Sequence, residues 1–284
     1  MPLFVTIPVS LLAGATLLFL LWLLAAAPGA RRAETDFFRE IPYAHRGLHD
    51  LAKGIPENSI PAFALAAERG FGIELDVQLS SDGVPMVFHD ATLDRVCGVS
   101  GRLCERSSAE LRELLLFGIA GTHIPTLAEV LSLVDGRVPL LVEIKEHPTP
   151  TASAEAAAKL LDGYAGAYLV EAFHPFALRW FRKNRPQVIR GQLSAAFLRD
   201  PKTRGAKYAV LHFFLLNFLA RPDFIAFDLH HRSSGVIHIL RALFGVPLFG
   251  WTAKTEKEYA TKGFDTLIFE GELPEKPKGT EHET

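Results

Sequence analysis

Two histidines, an arginine and three carboxylates fall close together in the N-terminal third of the chain: His45 and Arg46 in YAHRGLHD, Glu57 in IPENSI, Glu74 and Asp76 in GIELDV, and His89 in VPMVFHD. A further pair, Glu143 and Lys145, repeats the i, i+2 spacing of Glu74 and Asp76. On a strand that spacing puts both side chains on one face. Glu74, Asp76 and Glu143 are hard oxygen ligands that would repel one another if they converged. One divalent cation, Ca2+ or Mg2+, would relieve the repulsion, whereas zinc or copper would draw histidine or cysteine into the ligand set. Ordinary pairing with lysines or arginines at strand ends is the competing structural reading. Two imidazoles that titrate near neutrality can divide proton transfer, one taking a proton from an attacking hydroxyl and the other giving one to a leaving alkoxide. Arg46, through its fork of donors, and Lys145 suit phosphoryl oxygens.

These groups need a scaffold that delivers them to one place. Most follow short apolar runs, as FGI precedes Glu74 and VPMVF precedes His89. Such runs predict strands near 42–45, 72–78, 85–89, 139–145, 167–173, 188–192, 224–228, 246–251 and 266–270. Helical periodicity falls between them at 60–69, 108–116, 127–134, 154–161, 175–183, 236–244 and 256–261, with Ser107 and Thr126 as N-cap residues. Alternation of this kind argues for parallel strands joined by helical crossovers. Polar residues recur at strand ends along the whole chain, including His174, Gln192, Asp228, Trp251 and Glu270. That distribution fits a (β/α)8 TIM barrel with a small insertion after strand 2, whose chemistry collects on the C-terminal rim. No G-x-G-x-x-G turn follows the first strand, so an open dinucleotide-binding sheet loses its main support.

With 284 residues, 49% of them hydrophobic and 22% charged, the chain is long enough for one large α/β domain. A net charge of −2 leaves no basic footprint for nucleic acid, so any anion binding must be local. Cys97 and Cys104 lack the further partners of a zinc site and read as a reduced loop pair. From Pro2 to Ala27 there is no charged residue. This predicts an N-terminal transmembrane helix, with a cleaved signal peptide, and hence a secreted or periplasmic enzyme, as the alternative. Arg31 and Arg32 directly after the run would place the catalytic domain in the cytoplasm. The apolar stretch Ala206–Ala220 reads as one helix, either lidding the barrel or dipping into a membrane interface. The expected divisions are a transmembrane anchor at 1–30, a linker at 31–40, the barrel at 41–272 and a polar tail at 273–284.

The ordered series His45-Arg46-Gly47, Pro56-Glu57-Asn58-Ser59, Glu74-Leu75-Asp76, Asp82-Gly83, His89-Asp90, Glu143-Ile144-Lys145, Phe173-His174-Pro175 and Trp251-Thr252 resembles the glycerophosphodiester phosphodiesterase family from about Tyr43 to Glu270. The resemblance implies a TIM barrel that uses a divalent cation to cleave glycerophosphodiesters to glycerol 3-phosphate and an alcohol, through a cyclic phosphate. It also implies His45 and His89 as the acid/base pair, and Arg46, Lys145, Trp251 and His174 on the substrate side. Glu74, Asp76 and Glu143 would be metal ligands, with Glu57 either completing that shell or orienting Arg46. The family pattern is departed from at Ala253-Lys254 and at Phe269-Glu270-Gly271, on the side where the leaving alcohol would sit. The expected partners are a glycerophosphodiester or lysolipid substrate, and membrane lipid through the anchor. Two rival functions are lysophospholipase D-like cleavage of membrane lysophospholipids and an inactive barrel that binds lipid.

Overall fold

The computed structural model describes residues 3–31, 33–149, 151–203 and 205–271; Arg32 and the expected polar tail at 273–284 lie outside them. Nine strands form one sheet: β1 (Tyr43–Ala44), β2 (Gly72–Leu79), β3 (Pro85–Val87), β4 (Leu140–Ile144), β5 (Tyr168–Ala172), β6 (Arg190–Ser194), β7 (Phe224–Asp228), β8 (Leu248–Ala253) and β9 (Thr266–Phe269). Eight are parallel neighbours in the order β1-β9-β8-β7-β6-β5-β4-β2, and the pairing of β1 with β2 closes the ring. β3 pairs antiparallel with β2 outside that ring. The expected barrel and its insertion after the second strand are therefore both present.

Period-two alternation sorts the side chains. On β2, Ile73, Leu75 and Val77 join the layer between strands and helices, so Glu74 and Asp76 face the barrel interior. On β4, Leu140, Val142 and Ile144 take the outer face, leaving Leu141 and Glu143 inside. The lower interior is filled by Tyr43, Leu141, Leu169, Phe224, Phe249 and Ile268. There Phe224 and Phe249 stack at 4.4 Å and Tyr43 lies 6.0 Å from Phe249. Phe38, on the short helix Asp36–Arg39, packs on the same cluster, and its carbonyl accepts from the Tyr43 hydroxyl. With the N-terminal end closed by apolar packing, a cavity can form only at the C-terminal rim.

Helices follow the expected periodicity at Ile60–Glu68, Leu127–Val134, Ala152–Leu161, Pro175–Asn184 and Gly235–Phe244. Ser107 and Thr126 close full capping boxes with Glu110 and Glu129. The stretch 206–220 differs from its expectation. It forms two short helices, Ala206–His212 and Asn217–Ala220, separated by Phe214 at φ 55°. No residue of it lines the rim cavity.

Instead this stretch receives the end of the N-terminal helix Leu3–Ala26. The Trp22 indole donates to the Phe213 carbonyl at 3.0 Å, the Asn217 amide donates to the Ala26 carbonyl at 3.0 Å, and Ala26 is buried beside Phe214 and Phe227. Arg31 then forks onto Asp223 at 3.1 and 2.5 Å. Among the described residues no helix is long and apolar enough to cross a membrane. The expected transmembrane anchor, the single-pass localisation and the cytoplasmic orientation drawn from it are corrected accordingly. A span needs about 20 residues free to face lipid, and the last turns of this helix are committed to the barrel. Membrane lipid as a partner through that anchor loses its basis with it.

Candidate active site

The two turns that open the rim interlock. Arg46 (φ 57°) and Gly47 (φ 80°) reverse the chain after β1, and a Cβ at Gly47 would come within 2.9 Å of the Ala62 backbone carbonyl carbon, which explains glycine there. The Arg46 carbonyl accepts from the Asn58 backbone amide at 2.9 Å, while the Arg46 amide donates to Glu74 Oε2 at 2.8 Å. Asn58, itself at φ 50°, donates through its side chain to Asp76 Oδ2 at 2.7 Å. Ser59 caps the following helix through the Ala62 amide. HRG and PENS thus build one backbone unit on the carboxylates of β2.

Glu74, Asp76 and Glu143 offer oxygen atoms that all lie within 4.8 Å of one another, the one such group among the described residues. All three are buried. Burial, reinforced by Asp76 and Glu143, pushes the Glu74 carboxyl well above its usual range. Burial likewise pushes Glu143 up to about 7, opposed by Lys145 and reinforced by Asp76. Asp76 goes the other way, because Lys145, His89 and Arg46 outweigh its desolvation. Lys145 Nζ lies 2.8 Å from Asp76 and 2.7 Å from Glu143. A set of buried, mutually repelling oxygen donors without sulfur or imidazole fits a hard divalent cation.

Above this floor stand the two histidines. His45 Nδ1 is 2.7 Å from Glu270 Oε1, whose other oxygen is held by Lys254 at 2.7 Å. His89 Nδ1 is 2.7 Å from Asp90 Oδ1. A carboxylate on each Nδ1 fixes the proton there and leaves Nε2 as the working nitrogen. Burial lowers both imidazole pKa values against these carboxylates, so both rings are ready bases.

Arg46 Nη1 donates to Glu57 Oε1 at 2.7 Å, and Arg95 donates to both Glu57 oxygens at 2.7 and 2.8 Å. Arg95 Nε also reaches Asp90 at 2.6 Å. Glu57 thus accepts from two guanidinium groups and is not among the three carboxylates whose oxygens converge.

A rim cavity of about 520 Å³ is lined by His45, Arg46, Glu74, His89, Glu143 and Lys145, and across from them by Phe173 and Trp251. Asp76 lies beneath it, wholly buried. His174 does not line this cavity. It opens onto an adjoining cleft with Phe173 and His89, and its ring packs on Phe176 at 5.2 Å.

Several lining residues were not singled out in the sequence for roles in the site. Arg95 sits on the four-residue helix Asp94–Cys97, too short to show periodicity. Glu171 and Lys254 line the same cavity. Glu171 could have been found from its register, since it stands opposite Glu143 on the neighbouring strand. Cys97 and Cys104 are free thiols beyond the cavity lining.

Comparison with known proteins adds independent findings. The model of the Glycerophosphoryl diester phosphodiesterase family matches residues 45–263. A glycerophosphodiester phosphodiesterase of Caldanaerobacter subterraneus subsp. tengcongensis is 33% identical over 242 residues, 79% of this chain and 91% of that protein. The solved glycerophosphodiester phosphodiesterase of Thermotoga maritima superposes with a TM-score of 0.63 at 25% identity, covering 81% of this chain and 94% of that one. A phosphodiesterase of Oleispira antarctica, solved in complex with the product sn-glycerol-3-phosphate, shares the fold at a TM-score of 0.63 and 23% identity, covering 81% and 92%.

Proposed function

Since the chain belongs to the glycerophosphoryl diester phosphodiesterase family, we propose that it is a phosphoric diester hydrolase that cleaves glycerophosphodiesters to glycerol 3-phosphate and an alcohol. The catalytic domain is the barrel read as 41–272. The observation that carries the reading is the pairing of two histidines, each with Nδ1 at 2.7 Å from a carboxylate, above a floor of three carboxylates and one lysine.

In the proposed reaction one imidazole takes the proton from the glycerol hydroxyl beside the phosphodiester. That oxygen attacks phosphorus, and the other imidazole protonates the departing alkoxide. The histidine acting as acid must first be protonated, a form that the phosphate charge beside it favours. Attack from within the same molecule gains from a high effective molarity. Water then opens the cyclic phosphate with the two imidazoles exchanging roles, which returns both to their starting states. Arg46 and Lys145 hold the non-bridging oxygens and stabilise the charge that grows on them. Glu74, Asp76 and Glu143 would hold one divalent cation, Ca2+ or Mg2+, whose chemistry is to withdraw charge from the phosphoryl group. Trp251 and Phe173 would form the wall against the rest of the substrate.

The test uses the full-length chain with glycerophosphocholine and, separately, lysophosphatidylcholine, with EDTA and with added Ca2+ or Mg2+. Glycerol 3-phosphate should be released from the first substrate, stop with EDTA and return with the cation. Silence on both substrates with either cation would sink the reading. Activity on the lysolipid alone would favour lysophospholipase D-like chemistry.

A further inference from the structure

One buried acid of the cavity has no place in this scheme. Glu171 is on β5, where Leu169 is in the inner barrel cluster and Val170 and Ala172 in the outer one, so alternation turns Glu171 inward with Leu169. In the parallel ladder it stands directly opposite Glu143. It is 1% exposed and lines the same cavity, and its Oε2 has no hydrogen-bond partner. Among the described residues no lysine, arginine or histidine forms an ion pair with it, whereas the neighbouring Glu143 and Asp76 share Lys145.

A buried carboxylate without a partner is costly, and side chains keep such a position only when something compensates them. The groups next to Glu171 compensate it little: its strongest electrostatic neighbour is Glu143, another acid, and the cation that bears on it, Lys145, is already shared by Asp76 and Glu143. A bound cation would provide it. Glu171 is not among the three residues whose oxygens already converge, but inward side chains at paired positions of adjacent strands stand roughly 5 Å apart, so a turn of its flexible side chain brings a carboxylate oxygen onto an ion held by Glu143.

We propose that Glu171 is a fourth carboxylate of the cation site and that it biases the site toward Ca2+ over Mg2+; this rests on the reading that Glu74, Asp76 and Glu143 bind a divalent cation. The bias follows from coordination chemistry. Ca2+ takes 6–8 oxygen ligands in flexible geometry, whereas Mg2+ keeps several waters and uses one or two carboxylates. A fourth protein oxygen is therefore gained mainly by the larger ion.

The experiment is calorimetric titration of metal-free, full-length protein with CaCl2 and with MgCl2, for the wild type, Glu171→Gln and Glu74→Gln. The wild type should bind Ca2+ at least about tenfold more tightly than Mg2+. Glu171→Gln should lose about 10–100-fold in Ca2+ affinity, the range seen when residues supporting a metal site are removed, with Mg2+ affinity changed less than about threefold. Its melting temperature in EDTA should equal or exceed that of the wild type, since the substitution removes a buried acid that the metal-free protein leaves without a partner. An unchanged Ca2+ affinity, or equal losses for both ions, would overturn the proposal. If Glu74→Gln weakens binding while Glu171→Gln does not, the fourth-ligand proposal fails and the three-carboxylate site stands. A wild type that binds neither ion overturns both. Should Glu171→Gln not fold, Glu171→Asp tests the same point with charge retained: the shortened side chain should lower the Ca2+/Mg2+ affinity ratio, and an unchanged ratio counts against the proposal.

Discussion

The wall of the cavity built from residues 45–145 and the wall built from 171–270 differ in how much apolar surface they bring. On the first, each charged side chain is held by a partner: Arg46 by Glu57, Lys145 by Asp76 and Glu143, His89 by Asp90. On the second, Phe173, Leu193, Trp251 and Ile268 supply apolar surface beside the paired charges of Asp228, His230, Lys254 and Glu270. Phe173 and Trp251 meet edge to face at 5.8 Å, and the Trp251 indole nitrogen and Glu171 Oε2 are left without partners, whereas Arg46 Nε and Asp76 Oδ1 on the first wall lack hydrogen bonds but sit in ion pairs. Groups fixed in place before substrate arrives suit charge that develops in a transition state, because they need no reorganisation then. Apolar and unsatisfied groups suit a ligand that completes the site. Under the proposed function the first wall would carry the chemistry and the second the recognition.

Replacing the proton-transfer groups gives the strongest test. His45→Ala and His89→Ala should each lower kcat by about 10²–10⁴ with the fold retained, the usual worth of general acid–base catalysis. Steady-state rates combined with circular dichroism check this. A variant with near wild-type kcat would move the chemistry away from that histidine.

Arg95 tests whether fixation itself matters. It donates to Glu57, which holds Arg46, and to Asp90, which holds His89, so one side chain joins the carboxylates that fix the arginine and the histidine of this wall. Arg95→Met should reduce kcat by about 10–100-fold, as for loss of residues that orient a site. Arg95→Lys should recover little, because an ammonium cannot span two carboxylates as the planar fork does. Full rescue by lysine would mean that Arg95 contributes only charge.

This division also explains what the sequence made legible. Apart from Arg95, the first wall is encoded locally: HRG, PENS, ELD, HD and EIK each fix a turn or a strand face, so types and spacing point to one shared place for them. Strand parity placed Glu74, Asp76 and Glu143 correctly because period-two alternation admits one inward set. The second wall depends on contacts between distant residues. Glu270 reaches His45 across 225 positions, a pairing that exists only once β9 closes against β1. Arg95 is carried by a single helical turn, and such a turn has no period to detect. The largely apolar stretch 206–220 looked like one helix, but it breaks at Phe214, whose ring packs with Phe227 and Ala26, contacts that local periodicity does not carry. The N-terminal run was read as a span for a related reason, since hydropathy does not reveal that Trp22 and Ala26 dock onto the barrel.

The smallest expected effect lies where the two walls touch. Glu270 belongs to the second wall but holds His45 of the first, with Lys254 on its other oxygen. Although burial opposes ionisation, the hydrogen bonds from His45 and Lys254 bring the Glu270 carboxyl down to about 2 from 4.5. A carboxylate whose folded pKa is lowered contributes stability that is present above its unfolded value and is lost as pH falls through the folded one. Glu270→Gln cannot titrate and lacks that contribution at every pH. At neutral pH the variant should melt below the wild type, by roughly 2–4 °C for each kcal/mol the contacts supply. From pH 4.5 downward the gap should narrow and close near pH 2, because the wild type is then losing what the variant never had. Thermal melts of both proteins in EDTA between pH 7 and pH 3 measure this without the cation. A gap that stays constant over that range would mean that the contacts of Glu270 do not depend on its charge, and the two walls would be joined by shape alone.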